Sequence, residues 1–324
     1  MSHAIRIHHA GGAEALRFEE VPVAAPGNGE VRIRQSAVGV NFIDIYYRTG
    51  LYPLPSLPAV LGMEAAGTIE EVGPGVEGLA VGDRVAYVLG PGAYCEERVL
   101  PAARVIKLPS VIDDRTAAAM MLKGMTAEYL LRRTYKVRSG DTVLIHAAAG
   151  GVGLIACQWA CHLGATVIGT VGSIEKAELA RAHGCHHPIL YREQSFLDEV
   201  KRITNGRGVP VVYDSVGRDT FDDSLRCLHP RGLMVLFGQS SGSVPAVDLQ
   251  RLMQLGSLYV TRPSLAAYTA SREGLEQSAR ALMAVVESGA VRIEVPHVYP
   301  LSEAAQAHRD LEARRTTGSI VLLP

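Results

Sequence analysis

The sequence has few cysteines and almost no net charge, and each shortage excludes a class of protein. The 324 residues include five cysteines, an odd and scattered set that does not make a disulfide framework. The formal net charge is -1 and no basic block occurs, so nucleic acid is not favoured as a partner. The first residues, MSHAIRIHHAGG, lack the charged and apolar regions of a secretory signal. We therefore expect a cytoplasmic protein.

Charged residues are absent from Thr142 to Ile174. Such a run is also typical of a membrane span, which needs ~20 predominantly apolar residues in one continuous helix. Gly150, Gly151 and Gly153 would break that helix. We therefore expect no membrane span but a strand, a glycine turn, a helix and a second strand.

The turn in this segment, Ala148-x-Gly150-x-x-Gly153, is a variant of the G-x-G-x-x-G dinucleotide fingerprint with alanine at the first position. Gly150 and Gly151 would let the backbone approach a pyrophosphate, and Gly153 would let the following helix pack closely on the sheet. The free N–H groups and the positive dipole end of that helix would face the phosphates. A glycine turn without a ligand is the alternative, but the flanking strands and helix favour a nucleotide site.

The second predicted strand, Thr166–Val171, lacks the acidic residue that usually follows it in an NAD-binding fold and holds the ribose 2′-OH. Gly172, Ser173 and Lys176 follow it instead. Small residues and a cation accommodate a 2′-phosphate, so the sequence predicts NADPH. Glu175 is a carboxylate that does not fit this prediction, and we expect it to point to solvent. The alternative for Lys176 is a solvated helix position without a ligand.

Strand and helix patterns divide the chain into two domains, as its length suggests. Up to about residue 120, short strand-like runs between Pro and Gly turns predict a β-rich partial barrel. From about 125 to 261, six predicted strands alternate with helices, which is typical of a doubly wound parallel sheet. One long helix and two strands follow, and we expect them to return to the first domain. The predicted fold is α/β, with residues 1–124 and 262–324 in one domain and 125–261 in a Rossmann domain.

Short motifs in chain order carry a resemblance to a known family. They are NFID (41–44), RTGLYP (48–53), LGMEAAG (61–67), HAAAGGVG (146–153), VYDSVG (212–217), FGQSSG (237–242) and VTRPS (260–264). The chain resembles zinc-free members of the medium-chain dehydrogenase/reductase superfamily, and among them the zeta-crystallin-like NADPH:quinone oxidoreductases, closest to the bacterial enzymes. The resemblance covers essentially the whole chain. It implies that the first domain is a GroES-like catalytic domain and that a cofactor cleft lies between the two domains.

The resemblance also implies which residues contact NADPH. The nicotinamide end would be lined by Phe42, Ile43, Asp44, Ile45, Tyr46 and Tyr129, and the pyrophosphate by Gly151 and Val152. The adenosine and its 2′-phosphate would be surrounded by Gly172, Ser173, Lys176 and Tyr191. The rest of the cleft would be formed by Val216, Gly238, Gln239, Ser240, Ser241, Pro263, Ser264, Leu265 and Arg314. Arg314 could pair a phosphate bidentately, and a surface arginine is the alternative.

Zinc ligands are absent from the positions where zinc-dependent relatives carry them. Zinc alcohol dehydrogenases have a cysteine near position 41 and a histidine in a Gly-His-Glu motif, and here Asn41 and Met63 stand in those places. Their four-cysteine lobe is also missing, since the corresponding loop holds only Cys95. We therefore predict that the protein uses no metal.

The missing zinc ligands favour quinones over alcohols as substrates. Alcohol oxidation without a Lewis acid loses its usual stabilisation of the alkoxide, whereas a quinone is already electrophilic. We predict NADPH-dependent quinone reduction by hydride or electron transfer, with Asn41, Tyr46 and Tyr52 as the catalytic-site residues that position the quinone. Partial burial in a loop is the alternative for the two tyrosines.

Two other functions stay open at this stage. One is NADPH-dependent C=C reduction of enones or alkenals on the same fold, and the other is a non-catalytic NADPH-binding or RNA-binding protein. Relatives of the resembled family are commonly dimers through the edge strand of the nucleotide domain. We therefore expect a homodimer, in which the apolar run Ser257–Val260 would be the covered edge.

Overall fold

The computed structural model describes residues 2–324 and divides the chain into two compact units. Unit 1 contains residues 2–123, 271–280 and 293–324, and unit 2 contains residues 124–270 and 281–292. The strands are β1 (Ser2–Ile7), β2 (Arg17–Val21), β3 (Glu30–Val40), β4 (Ala59–Val60), β5 (Glu64–Val72), β6 (Arg84–Val88), β7 (Glu97–Pro101), β8 (Val105–Lys107), β9 (Thr142–Ile145), β10 (Thr166–Val171), β11 (His187–Leu190), β12 (Val209–Asp214), β13 (Leu228–Leu236), β14 (Tyr259–Thr261), β15 (His297–Pro300) and β16 (Ile320–Leu323). The α-helices are α1 (Phe42–Arg48), α2 (Asp114–Tyr129), α3 (Gly151–His162), α4 (Ile174–Ala182), α5 (Phe196–Ile203), α6 (Phe221–Cys227), α7 (Leu249–Gln254), α8 (Leu265–Tyr268), α9 (Arg272–Glu287) and α10 (Ala304–Glu312). Short 3-10 turns occur at Ala13–Ala15, Ala102–Arg104 and Leu301–Glu303, and a π-helical turn follows α2 at Leu130–Thr134.

Unit 1 is built on a largely antiparallel seven-stranded sheet in the order β15-β16-β3-β5-β6-β8, with β7 also paired to β3. A smaller sheet has the order β2-β1-β4. Alternate residues of β3 up to Gln35, such as Val31 and Ile33, enter the apolar core, as expected for a sheet with one buried face. The predicted β-rich fold is confirmed, and the last strand of the chain, β16, pairs with β3.

Unit 2 is built on a six-stranded sheet in the order β11-β10-β9-β12-β13-β14, and every neighbouring pair is parallel. This is the strand order of a Rossmann fold, with the order reversing at β9. Helices α3 to α6 pack against the strands, which explains why the strands are nearly continuous apolar runs. The predicted doubly wound sheet is therefore confirmed.

The end of the chain differs from the predicted division of domains. Residues 262–270 and 281–292 lie in unit 2, although the sequence placed all of 262–324 with the first domain. Local contacts explain the difference, because the Tyr268 ring stacks on Tyr129 and Gln158 bonds to the backbone of Arg292.

The apolar segment from Thr142 to Val171 forms β9, a turn, α3 and β10, as predicted. Across residues 2–324, every helix is too short or too polar to cross a membrane.

Candidate functional site

The glycine turn of unit 2 lies at the carboxyl end of β9. Gly150 precedes the first residue of α3, Gly151. A Cβ atom on Gly153 would lie 2.2 Å from the Ala147 carbonyl oxygen, so only glycine fits there, whereas a Cβ on Gly150 would lie 3.2 Å from the same oxygen. Among residues 2–324, no side chain caps α3. Its first N–H groups are thus suited to a phosphate.

The residues after β10 form a second group at the same edge of the sheet. A Cβ atom on Gly172 would lie 3.0 Å from the Tyr191 hydroxyl oxygen, so these two residues are neighbours. Ser173 caps α4, and its Oγ accepts the N–H of Lys176 at 3.4 Å. Glu175 is exposed, as expected, and its hydrogen bond with the Ser173 side chain lowers its pKa. The structure therefore brings together Gly172, Ser173, Lys176 and Tyr191.

The loops after β12 and β13 are joined by hydrogen bonds. The N–H of Ser240 donates to Ser215 O at 3.1 Å, and the N–H of Ser241 donates to Val216 O at 2.8 Å. The loops approach so closely that a Cβ atom on Gly238 would lie 2.7 Å from Ser215 O. Val216 and the segment 238–241 thus lie together.

Asp214 organises these loops, although sequence reasoning assigned it no role. Its buried carboxylate accepts the N–H groups of Val216 and Gly217 at 2.7 and 3.0 Å and the Thr220 hydroxyl at 2.7 Å. Such a turn after a strand is the usual role of an aspartate there. The signal in the sequence that could have identified this role is an apolar strand that ends in Asp214-Ser215.

The segment after β14 places the remaining predicted residues of unit 2. Ser264 follows Pro263 and caps α8, which begins at Leu265. The last residue of α8, Tyr268, stacks on Tyr129 with ring centroids 4.5 Å apart and an interplanar angle of 10°. Tyr129 is buried, and this burial raises its pKa.

In unit 1, Asn41 caps α1, the helix that carries Phe42 and Tyr46. The Tyr46 ring contacts Phe42 and Tyr52, with centroid distances of 5.6 and 5.2 Å. The N–H of Tyr52 also donates to Tyr46 O at 3.0 Å. The structure thus brings Tyr46 and Tyr52 together. Asn41 and Tyr46 are buried, while Phe42 and Tyr52 are partly exposed.

A chain of hydrogen bonds joins Arg48 to Asp44, both residues of α1, through His308 and Tyr94. Arg48 can only donate, so its Nη1 donates to His308 Nδ1 at 3.1 Å, which leaves the ring proton on Nε2. Nε2 then donates to the Tyr94 hydroxyl at 2.9 Å, and Tyr94 donates to Asp44 Oδ2 at 2.8 Å. Burial raises the pKa of Asp44 to about 7 and lowers the pKa of His308 to about 3. Since arginine does not release a proton, the chain orients Asp44 and does not conduct protons from the surface.

Two family models match successive parts of the chain. The model described as alcohol dehydrogenase GroES-like domain matches residues 27–110, and the one described as zinc-binding dehydrogenase matches residues 151–282. A quinone oxidoreductase of Pseudomonas aeruginosa is 53% identical over 325 aligned residues, which cover 100% of both chains. The chain belongs to the quinone oxidoreductase family. The predicted resemblance is thus confirmed.

Two further relatives of this chain are informative. The structure of Escherichia coli quinone oxidoreductase complexed with NADPH is 49% identical, with a TM-score of 0.98, and the match covers 99% of this chain and 100% of that one. A 2-haloacrylate reductase of a Burkholderia species is 50% identical over 332 residues, covering 100% of this chain and 99% of the relative. The predicted fold class, a GroES-like domain plus a Rossmann domain, is confirmed.

Zinc is implied by the description of one family model, but the residues of this chain do not fit a zinc site. Among residues 2–324, no group of three or more His, Cys, Asp or Glu side chains could hold a metal ion. Asn41 stands at the cysteine position, and its amide nitrogen donates to Glu64. We therefore assign no step to zinc.

The remaining predicted residues of this family member are not gathered at one place. Arg314 is an exposed residue of unit 1 just after α10, with φ of 58°, and its phosphate contact stays a prediction. Asp44 and Ile45 are buried within unit 1.

Sequence reasoning missed the buried ion pair between Glu64 and Lys123, whose Oε1 and Nζ lie 3.0 Å apart. Each residue is a lone charge in an apolar stretch, LGMEAAG and AAAMMLKGM. A single charge in such a run predicts a buried partner, which is the signal that could have found the pair.

Proposed function

We propose that this protein reduces quinones with NADPH. The observation that carries the proposal is the match over the full chain to quinone oxidoreductases, one of them solved with NADPH. Bound NADPH supplies a hydride, and a quinone that takes this hydride and a proton becomes a hydroquinone. The protein then has to bind both molecules, orient them and limit water at the reacting atoms.

The cofactor is bound mainly by unit 2 in this proposal. The first N–H groups of α3, at Gly151 and Val152, hold the pyrophosphate. Lys176 supplies a positive charge for the 2′-phosphate, and Gly172 leaves room for the adenosine beside Tyr191. The glycine at position 172 supports this arrangement, because a larger side chain there would meet the Tyr191 hydroxyl at 3.0 Å.

The quinone is bound by residues of α1 and the loop that follows it. Asn41 and Tyr46 offer an amide and a hydroxyl that can donate hydrogen bonds to quinone oxygens. The rings of Tyr46 and Tyr52, which contact each other at a centroid distance of 5.2 Å, offer apolar faces for a planar substrate.

A second candidate function is the reduction of activated C=C bonds. It is favoured by the 50% identity to a 2-haloacrylate reductase over the whole chain. A C=C bond next to a carbonyl or carboxyl group accepts a hydride at carbon, so it demands the same hydride donor and a similar dry site.

Consumption of NADPH with 1,4-benzoquinone, compared with 2-chloroacrylate, decides between the two candidates. We expect quinone turnover, a preference of about 10-fold or more for NADPH over NADH, and no effect of a chelator. The preference follows from one charge-assisted contact to the 2′-phosphate. Reactions without acceptor or without protein are the controls. Turnover with 2-chloroacrylate alone would establish the second function, and NADPH binding without any turnover would leave a non-catalytic protein.

We further propose a cytoplasmic homodimer that forms through β14. This strand is the edge of its sheet, and its residues Tyr259 and Val260 are 61% and 41% exposed. The cysteines are free, which suits a reducing compartment. Light scattering should give about twice the chain mass of 34.7 kDa, and Val260→Lys should give the monomer. A monomeric wild-type protein at micromolar concentration would end this proposal.

A further inference from the structure

Glu64 and Lys123 form an ion pair that is almost completely removed from solvent. The side chains are 0% and 7% exposed, with Oε1 and Nζ 3.0 Å apart. A buried ion pair is a weak source of stability, because the desolvation of both charges offsets their attraction. The contacts of the pair point instead to a role at the neighbouring Asn41.

The Glu64 carboxylate has a donor on each oxygen. Oε1 accepts the Asn41 amide, Nδ2, at 2.7 Å as well as the Lys123 ammonium. Oε2 accepts the backbone N–H of Leu122 at 2.6 Å. Asn41 is thus tied to a carboxylate that two further donors hold in place.

The backbone leaves space for this carboxylate at Gly39. Gly39 is the cross-strand partner of Glu64 between β3 and β5. A Cβ atom on Gly39 would lie 2.5 Å from Glu64 Oε1 and 2.2 Å from the carbonyl oxygen of Ala118. Glycine at this position therefore permits the Glu64 arrangement.

The carboxylate decides which end of the Asn41 amide faces it. An amide can present either its oxygen or its nitrogen to a neighbour, and only the nitrogen can donate to a carboxylate. The backbone of Asn41 is held as well, since its N–H donates to Asp44 Oδ2 at 2.8 Å. The amide oxygen and the second N–H of Nδ2 are consequently held in one orientation.

We propose that Glu64 and Lys123 are positioning residues of the quinone subsite, which hold the Asn41 amide in the orientation that donates to a quinone oxygen. This inference rests on the function proposed above. Glu64 sets the orientation directly. Lys123 donates to the same oxygen, Oε1, that accepts the Asn41 amide, and so fixes the position of that oxygen.

A double-mutant cycle between Glu64→Gln and Asn41→Ala tests the inference. Each single variant should lower kcat/KM for 1,4-benzoquinone by about 10- to 100-fold, the usual cost of a misplaced group. The affinity for NADPH should change by less than about threefold, because Glu64 acts in this proposal on Asn41, which is assigned to the quinone and not to the cofactor. Glu64→Gln in the Asn41→Ala background should add less than about twofold, since the contact it acts through is already gone.

Asp114→Asn is the matched control. Like Lys123, Asp114 lies in α2, and its carboxylate forms an ion pair with Arg84 at 2.6 Å. It should leave kcat/KM for the quinone unchanged. The inference is overturned if the losses in kcat/KM from Glu64→Gln and Asn41→Ala multiply in the double variant. It is also overturned if Glu64→Gln keeps the wild-type kcat/KM. If Glu64→Gln does not fold, Lys123→Met is measured in the same cycle with the same expectations.

The side-chain amide of Asn41 gives a readout that does not depend on turnover. Its proton resonances, identified by their loss in Asn41→Ala, should shift and exchange faster with solvent in Glu64→Gln and Lys123→Met but not in Asp114→Asn. Unchanged resonances in both pair variants would reject the positioning role even in an active enzyme. Shifted resonances in a protein without quinone turnover would support the orientation and reject only the proposed function.

Discussion

Replacement of Lys176 by glutamate is expected to lower kcat/KM for NADPH by about 100-fold, or about 2.7 kcal/mol. Lys176 lies in the first turn of α4, whose cap Ser173 accepts the Lys176 N–H. In the proposed complex its ammonium pairs with the 2′-phosphate, a charge-assisted contact that contributes about 1.5–3 kcal/mol. The new carboxylate would replace this attraction with repulsion. Steady-state kinetics with a fixed quinone concentration measure the effect.

NADH separates this explanation from a general loss of folding. NADH has no 2′-phosphate, so its kcat/KM should change by less than about threefold in Lys176→Glu. Lys201→Glu, the same charge reversal at an exposed site on α5, is the matched control and should leave both cofactors unaffected. Equal losses with NADPH and NADH would mean that Lys176 stabilises the helix and does not contact the 2′-phosphate.

The nucleotide unit was predictable because its signals are local. The bounds of β10, Thr166–Val171, agree with the prediction residue for residue, and the glycine turn follows β9 directly. Each of these features is encoded within one short segment, where an apolar run gives way to a turn.

Strand bounds were missed where the local pattern breaks down. The alternating run Val31–Ser36 predicts a strand that ends at Ser36, but β3 runs to Val40, because residues 37–40 are all buried and the alternation of apolar and polar residues stops. The apolar run Leu233–Phe237 predicts a strand that starts at Leu233, but β13 begins at Leu228, five residues earlier, since Pro230 and Gly232 conceal a strand in the sequence.

The buried network of unit 1 could not be read from the sequence, because its members are far apart in the chain. The hydrogen bond between Arg48 and His308 joins residues 260 positions apart, and the contact between Lys123 and Glu64 spans 59 positions. A charged residue in an apolar run predicts that a partner exists, but only the fold selects the partner. The aromatic residues that we propose for the quinone were therefore visible in the sequence, whereas the ion pair next to Asn41 was not.

Gly153→Ala is expected to lower the stability of the fold, whereas Gly150→Ala is expected to weaken the binding of NADPH. At Gly153 the new Cβ would lie 2.2 Å from the Ala147 carbonyl oxygen, so helix and turn must separate. Overpacking of this kind costs about 1–3 kcal/mol, which lowers Tm by about 5 °C for a unit of this size. At Gly150, φ is -81° and a Cβ would lie 3.2 Å from that oxygen, so the fold accepts alanine with a small shift.

Gly150→Ala should instead weaken NADPH binding, because its Cβ would stand where the pyrophosphate approaches the backbone. We expect a rise in the Kd for NADPH of about 10-fold, with Tm within about 2 °C of the wild type. Calorimetry measures Tm and an NADPH titration measures Kd for both variants. Each variant is the control for the other, because the substitution is the same and the positions are three residues apart. If Gly150→Ala lowers Tm as much as Gly153→Ala and binds NADPH normally, the turn serves only to join β9 to α3. Separate effects on affinity and on Tm would instead assign the first glycine to the ligand and the last to the packing of the helix.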